Sequence, residues 1–332
     1  MSKIIQKLKS ALYLVRNSSN PLSAIYKQTR KNLKQYRITY QQGKNFSYKA
    51  KAGFKFICIP ESKTSVNLYI QNEWYEDIEL KIAGTWLCKN DNCLDLGANI
   101  GYCSALFANK VSRQGKVIAV EASPQTSEYL DEAIRLLDLR QVTLEEGCVI
   151  DRDGFVDFMV SRDGSVDVKQ SLTINPEEKE AFQKKTVKAF TINQLIEKHK
   201  ILQDVALVKM DIEGAEPLAL KGSHLLFDKT SLPLFIIEIY KLGLSRLSFE
   251  PKDILNFLPL DLFDIYHVNR SHPNPIPEFE YGVIYPLLNP NTYSYPWHTN
   301  IIAIPKVGKY ANRKRKIQSY LPERLINNME HE

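Results

Sequence analysis

Apolar positions along this chain fall into two rhythms, short runs of strand length and longer stretches with helical spacing. The short runs lie at Cys93 to Asp95, Val117 to Glu121, Val142 to Glu145, Leu207 to Asp211, Leu234 to Glu238, Asp264 to Val268 and Asn300 to Ile304. Helical patterns separate most of the first five. That alternation predicts a mostly parallel sheet of seven strands with helices on both faces. A stretch rich in Pro and aromatic residues separates the last two runs, which predicts an antiparallel hairpin at the sheet edge. Upstream, Phe54 to Pro60 and Val66 to Ile70 read as strands and Trp74 to Leu87 as a helix. Further upstream still, Ile4, Ile5, Leu8, Leu12 and Val15 recur at helical spacing with Lys3, Lys7 and Lys9 among them, predicting a basic amphipathic helix.

The pattern divides the chain into a basic helical arm (1–55), lead-in strands and a helix (56–90), an α/β domain (91–305) and a basic tail (306–332). Two segments interrupt the α/β pattern. Val160 to Lys188 is polar and charged, and Asn269 to His298 carries Tyr281, Tyr285, Tyr293, Tyr295, Trp297 and His298. Long connections in compact domains often serve function, so both are candidate specificity segments. The aromatics of the second are suited equally to stacking on a sugar-like acceptor and to packing the loop on the core.

The densest chemistry lies at Asn92 to Tyr102, N-C-L-D-L-G-A-N-I-G-Y, where an apolar run containing Asp95 meets a turn bounded by Gly97 and Gly101. Glycines permit positive φ and close backbone approach. The next run ends in Glu121, a position from which a carboxylate can accept hydrogen bonds from both ribose hydroxyls of a nucleoside. The G-A-N-I-G spacing, with Asn99 inside it, lacks the middle glycine of a dinucleotide fingerprint and argues against NAD.

D-L-G-A-N-I-G-Y followed by V-E-A-S-P resembles the first two motifs of class I S-adenosylmethionine-dependent methyltransferases. V-A-L-V-K-M-D-I-E-G-A-E at Val205 to Glu216 and L-F-I-I-E at Leu234 to Glu238 follow in an order similar to the FkbM family. W-Y-E at Trp74 to Glu76 and N-I-I-A-I-P at Asn300 to Pro305 extend the resemblance over roughly Trp74 to Pro305. It implies a Rossmann-like class I methyltransferase fold: a seven-stranded, mostly parallel sheet with an antiparallel C-terminal edge strand, plus an N-terminal accessory segment.

The resemblance also implies roles. Asp95, Gly97, Asn99 and Gly101 would hold the methionine part of S-adenosylmethionine and Glu121 its ribose. Cys148, with Glu146 and Gly147, falls where the fold class meets the adenine, and Glu76 either reaches the donor or braces its turn. Asp211 and Glu238 end neighbouring strands where donor and acceptor would meet, as general base and acceptor clamp, with Asp211 first choice as the catalytic carboxylate. These two could also hold a divalent cation such as Mg. Glu213 and Glu216 read either as acids favoured at a helix start or as substrate contacts. Lys209 is either paired in the interior or part of the site, and His224 is more suited to packing than to acting as base.

The implied function is O-methylation of a hydroxyl on a sugar, glycan or natural product. Alternatives are N-methylation of a small molecule and a noncatalytic binding module that keeps the fold.

Composition changes this picture little. The chain has 332 residues, 44% hydrophobic and 25% charged, enough for one large core. Its five cysteines form no C-x-x-C pair, which points away from a disulfide framework and toward a reducing cytoplasm. No apolar run reaches membrane-spanning length. The net charge of +6 comes largely from Met1 to Lys55, which carries many Lys and Arg and almost no acid. A basic arm suits peripheral contact with an anionic membrane or packing on its own domain or a partner subunit, so a homo-oligomer is allowed. The arm's tyrosines follow no nucleic-acid-binding module, so no nucleic-acid partner is expected. The second basic run, Lys306 to Lys316, reads as a solvated tail.

Overall fold

The structure is a computed structural model, and it describes residues 21–41, 43–71, 77–165, 170–202, 204–268, 284–286 and 298–320. The predicted helix over Met1 to Val15, the W-Y-E element with Glu76, and most of the aromatic segment 269–298 lie outside these residues. The chain forms two compact units, Met1–Glu73 and Trp74–Glu332.

In the first unit, α1 (Pro21–Tyr40) precedes a hairpin of β1 (Phe46–Lys49) and β2 (Lys55–Cys58), followed by α2 (Lys63–Gln71). Phe46, Tyr48 and Tyr69 are buried and meet edge to face, with Phe46 and Tyr48 each about 5 Å from Tyr69. The expected strand at Val66 to Ile70 is therefore a helix. Its start explains the difference: the Ser65 N–H donates to Ser62 Oγ and the Val66 N–H to Ser62 O, a side-chain cap that sets helical spacing for buried Leu68 and Tyr69. A short apolar run does not by itself separate the two periods.

The second unit opens with α3 (Asp77–Trp86), pinned where Trp86 Nε1 donates to Ala206 O. Its main sheet contains β3 (Asn92–Leu96), β4 (Lys116–Glu121) and β5 (Val142–Glu146), then β9 (Val205–Met210), β10 (Leu234–Tyr240), β11 (Phe263–Val268), β12 (Ile284–Pro286) and β13 (His298–Pro305). Spatial order is β12-β11-β13-β10-β9-β3-β4-β5. From β10 to β5 every pair is parallel. All residues of β9 and β10 are buried, which is why they read as unbroken apolar runs.

All seven predicted strands are present, and the short β12 adds an eighth. β13 is antiparallel as expected, but it lies between β10 and β11, not at the edge. Its residues Thr299 to Pro305 are all buried, so a place with partners on both sides suits it.

Helices α4 (Tyr102–Val111), α5 (Pro124–Leu136), α6 (Ile192–His199), α7 (Glu216–Lys221), α8 (Lys241–Arg246) and α9 (Pro251–Leu255) complete the unit. Two segments depart from expectation. The two ends of the polar interruption at Val160 to Lys188 belong to a second sheet, in which β8 (Phe182–Phe190) pairs with β7 (Gly154–Ser161) and with β6 (Cys148–Val149). It covers an apolar cluster of Cys148, Ile150, Phe158, Val160, Val187 and Ala189. The basic run after β13 is not a solvated tail: Arg313 pairs with Asp91 at 2.5 Å, Lys314 with Asp264 at 2.8 Å and Lys309 with Asp204 at 2.6 Å, while Ile317 is buried.

Candidate functional site

The order β10-β9-β3-β4 places a topological switch between β3 and β9, since the chain runs from β3 outward to β5 and later from β9 outward to β10. A crevice at the carboxyl ends of the strands is the expected ligand position in such a sheet. The turn after β3 and the end of β9 meet there. The Asp211 N–H donates to Leu96 O at 3.0 Å, and Gly97, at φ +77°, comes so close that a Cβ would stand 1.9 Å from Asp211 O. Gly97 is thus demanded first by the protein's own backbone. Gly214, at φ +106°, is likewise pressed against Gly243 at the start of α8.

Asp95 lies beneath the turn with no exposed surface. Its Oδ2 accepts the Ser104 hydroxyl of α4 at 2.5 Å, and its Oδ1 has no hydrogen-bond partner among the described residues. Burial raises its pKa, against the opposing pull of Lys209. Lys209, itself buried, donates to Asp211 Oδ2 at 2.9 Å. One interior cation therefore serves two strand-end acids.

Glu121 closes β4 as expected. Its carboxylate accepts the Asn99 N–H at 2.8 Å and the Ser123 N–H at 2.9 Å, tying the β3 turn to the start of α5. Asn99 holds a left-handed conformation at φ 50°. Burial pushes Glu121 up to about 7 even though these backbone N–H groups favour its ionised form. Each carboxylate oxygen has a second lone pair, so further hydrogen bonds can be accepted.

Cys148 is buried in the cluster of the second sheet, and burial pushes its thiol up to about 11. The Gly147 N–H donates to Glu121 O at 2.8 Å, so the segment is tied to the same end of the sheet.

Asp211, Glu213 and Glu238 converge. One oxygen from each lies within 4.8 Å of the others, a spacing compatible with a shared cation. Glu213, expected as a helix-start acid or a substrate contact, stands beside Asp211 and Glu238 in a left-handed conformation at φ 58°. Glu216, the first residue of α7, is fully buried: its Oε1 accepts the Ile212 N–H at 2.9 Å. Burial first, and then the charges of Glu238 and Asp211, raise its pKa well above the usual carboxylate range.

Sequence reasoning missed the contact between Glu238 and His298 Nε2, made because Tyr240 and His298 are register partners on β10 and β13. The signal was present, since His298 ends the aromatic segment, but only the pairing of the strands reveals the partner. His224 instead meets Asn193 Nδ2 at 2.6 Å, away from this cluster.

The family model described as "Methyltransferase FkbM domain" matches residues 95–266. Among solved structures, the methyltransferase FkbM of Methylobacillus flagellatus is 16% identical with a TM-score of 0.39, covering 72% of this chain and 54% of its own. The chain thus spans about half the length of that relative. A SAM-dependent O-methyltransferase of Thermotoga maritima is 14% identical (TM-score 0.35; 78% and 77% covered). An Aeropyrum pernix fibrillarin with natively bound S-adenosyl-L-methionine is 11% identical (TM-score 0.35; 78% and 94% covered). No curated protein matches the chain.

Proposed function

The chain belongs to the FkbM family of methyltransferases, and from that premise we propose that it transfers the methyl group of S-adenosylmethionine to a hydroxyl oxygen of a sugar, glycan or natural product. The observation that carries this reading is the convergence of Asp211, Glu213 and Glu238 beside the Gly97 turn. Methyl transfer is an in-line displacement, so the protein's work is to align two reactants and remove one proton.

When bound, S-adenosylmethionine supplies an electrophilic methyl group on a sulfonium. The residues present fit that donor. Glu121 is half-buried and already positioned by two backbone N–H groups, which suits it to accept ribose hydroxyls. The Gly97 to Gly101 segment, tied to Glu121 through the Asn99 N–H, presents backbone to the methionine portion, and Gly147 and Cys148 border the adenine side.

On the acceptor side, Asp211 is first choice for taking the hydroxyl proton. Lys209 donates to it, a contact that favours the charged form a base needs before reaction. Glu213 and Glu238 orient the acceptor. The same three carboxylates form a donor set of hard oxygens that fits Mg²⁺ or Mn²⁺, which would lower the hydroxyl pKa and orient a diol.

The test is transfer of a labelled methyl group to parallel sets of hydroxylated and amine acceptors. Label in ethers or esters, lost in Asp211→Asn with donor binding retained, supports the reading. Label only in amines, or full turnover by Asp211→Asn, overturns it.

A further inference from the structure

We propose that α1 is a docking surface for an anionic lipid bilayer. Leu22, Tyr26, Leu33, Tyr36 and Tyr40 follow one another at intervals of four, seven, three and four residues, which aligns them on one face of the helix. They are 80%, 61%, 63%, 68% and 71% exposed, so none of the described residues covers this face. A run of Leu and Tyr of this length is not the scattered surface apolar residue that needs no explanation. The rings are ordered among themselves: Tyr36 and Tyr40 stack with centroids 6.3 Å apart, and the Arg30 guanidinium lies 5.6 Å from the Tyr26 ring.

The flank beside this stripe is already used in the second half of the helix. Lys34 Nζ donates to Tyr69 O at 2.7 Å, and Arg37 sits 4.4 Å over the Phe46 ring, so these two cations fix α1 to β1 and α2. Its lost solvation lowers the pKa of Lys34. Among the described residues Lys27, Arg30 and Lys31 form no ion pair, and Pro21–Tyr40 contains five Lys and Arg and neither Asp nor Glu.

Charge decides among occupants. A second copy would bring the same Lys27, Arg30 and Lys31 against these three, with no acid in the helix to offset them. An anionic bilayer surface offers the opposite sign, and its headgroup zone suits tyrosine, whose ring is apolar and whose hydroxyl stays wet. A basic helix with an apolar stripe lies in the interface plane, and 20 residues give it a length of about 30 Å. The surface lies within the first compact unit and does not depend on the methyltransferase reading.

The test is co-sedimentation of the full chain with vesicles of phosphatidylcholine alone and of phosphatidylcholine with phosphatidylglycerol. Two surface variants accompany it, Tyr26→Ser/Leu33→Ser/Tyr36→Ser and Lys27→Glu/Arg30→Glu/Lys31→Glu, checked for unchanged circular dichroism and melting. The proposal expects binding only to the anionic vesicles and at least tenfold weaker binding for either variant. Equal binding to both vesicle types, wild-type binding by both variants, or a dimer in light scattering that the serine variant dissolves without affecting vesicle binding would each overturn it. So would stripe-independent binding that soluble polyglutamate competes away equally well, which would make the surface a site for acidic protein.

Discussion

Lys209 Nζ stands 2.9 Å from Asp211 Oδ2, two residues along on the same end of β9, and the lysine is buried while the aspartate faces the crevice. The pair brings a cation from within the sheet to the acceptor side. Lys209→Met should destabilise the chain by about 3 kcal/mol, since removing one partner leaves Asp211 and Asp95 without their cation. Urea denaturation measures this. In the double variant Lys209→Met/Asp211→Asn part of the loss should return, a coupling that a double-mutant cycle reads directly.

Glu121 supplies the pH dependence of donor binding. Its carboxyl is pushed up to about 7, and ribose hydroxyls are better received by the ionised form. Affinity for S-adenosylhomocysteine is therefore full above pH 7 and falls as pH drops through it. Calorimetry should show about tenfold weaker binding at pH 6 than at pH 8, and Glu121→Gln should bind weakly at both.

Glu216 predicts a gain. Its folded pKa is raised, so the native state binds more protons than the unfolded one above the ordinary carboxylate range, and stability is lost as pH rises. Glu216→Gln removes that loss while keeping an oxygen for the Ile212 N–H. The variant should match wild type near pH 4 and melt higher at pH 8.

The Asp211, Glu213 and Glu238 cluster predicts cation binding. Titration with Mn²⁺ should show one site per chain, weakened about tenfold or more by Glu213→Gln. An unchanged isotherm in that variant would remove Glu213 from the site.

The main sheet was legible because its central strands are buried on both faces, so V-A-L-V-K-M and L-F-I-I-E stand out as apolar runs ending in acids. Asp211 and Glu121 were found at strand ends for the same reason, whereas Glu238, expected to end its strand, lies two residues inside β10, which its pairing with β13 carries on to Tyr240. The second sheet was not legible. In β8 the consecutive residues Lys184, Lys185 and Thr186 are exposed, so both faces are wet there, and a strand with three lysines and no clear alternation over this stretch reads like a polar insertion. The basic run after β13 misled in the same way, since Arg313 and Asp91 are far apart in sequence and only the fold brings them together. His298 was visible but had no assignable partner, because register between β10 and β13 fixes its contact with Glu238. Lys209 left both its readings open until burial and a partner decided for pairing.

The most direct measurement is calorimetry of the full chain with S-adenosylmethionine, S-adenosylhomocysteine and NADH. Micromolar binding of both sulfur nucleosides, with NADH silent, is the predicted result. Binding of NADH with neither sulfur nucleoside, or of none of the three, would contradict the account.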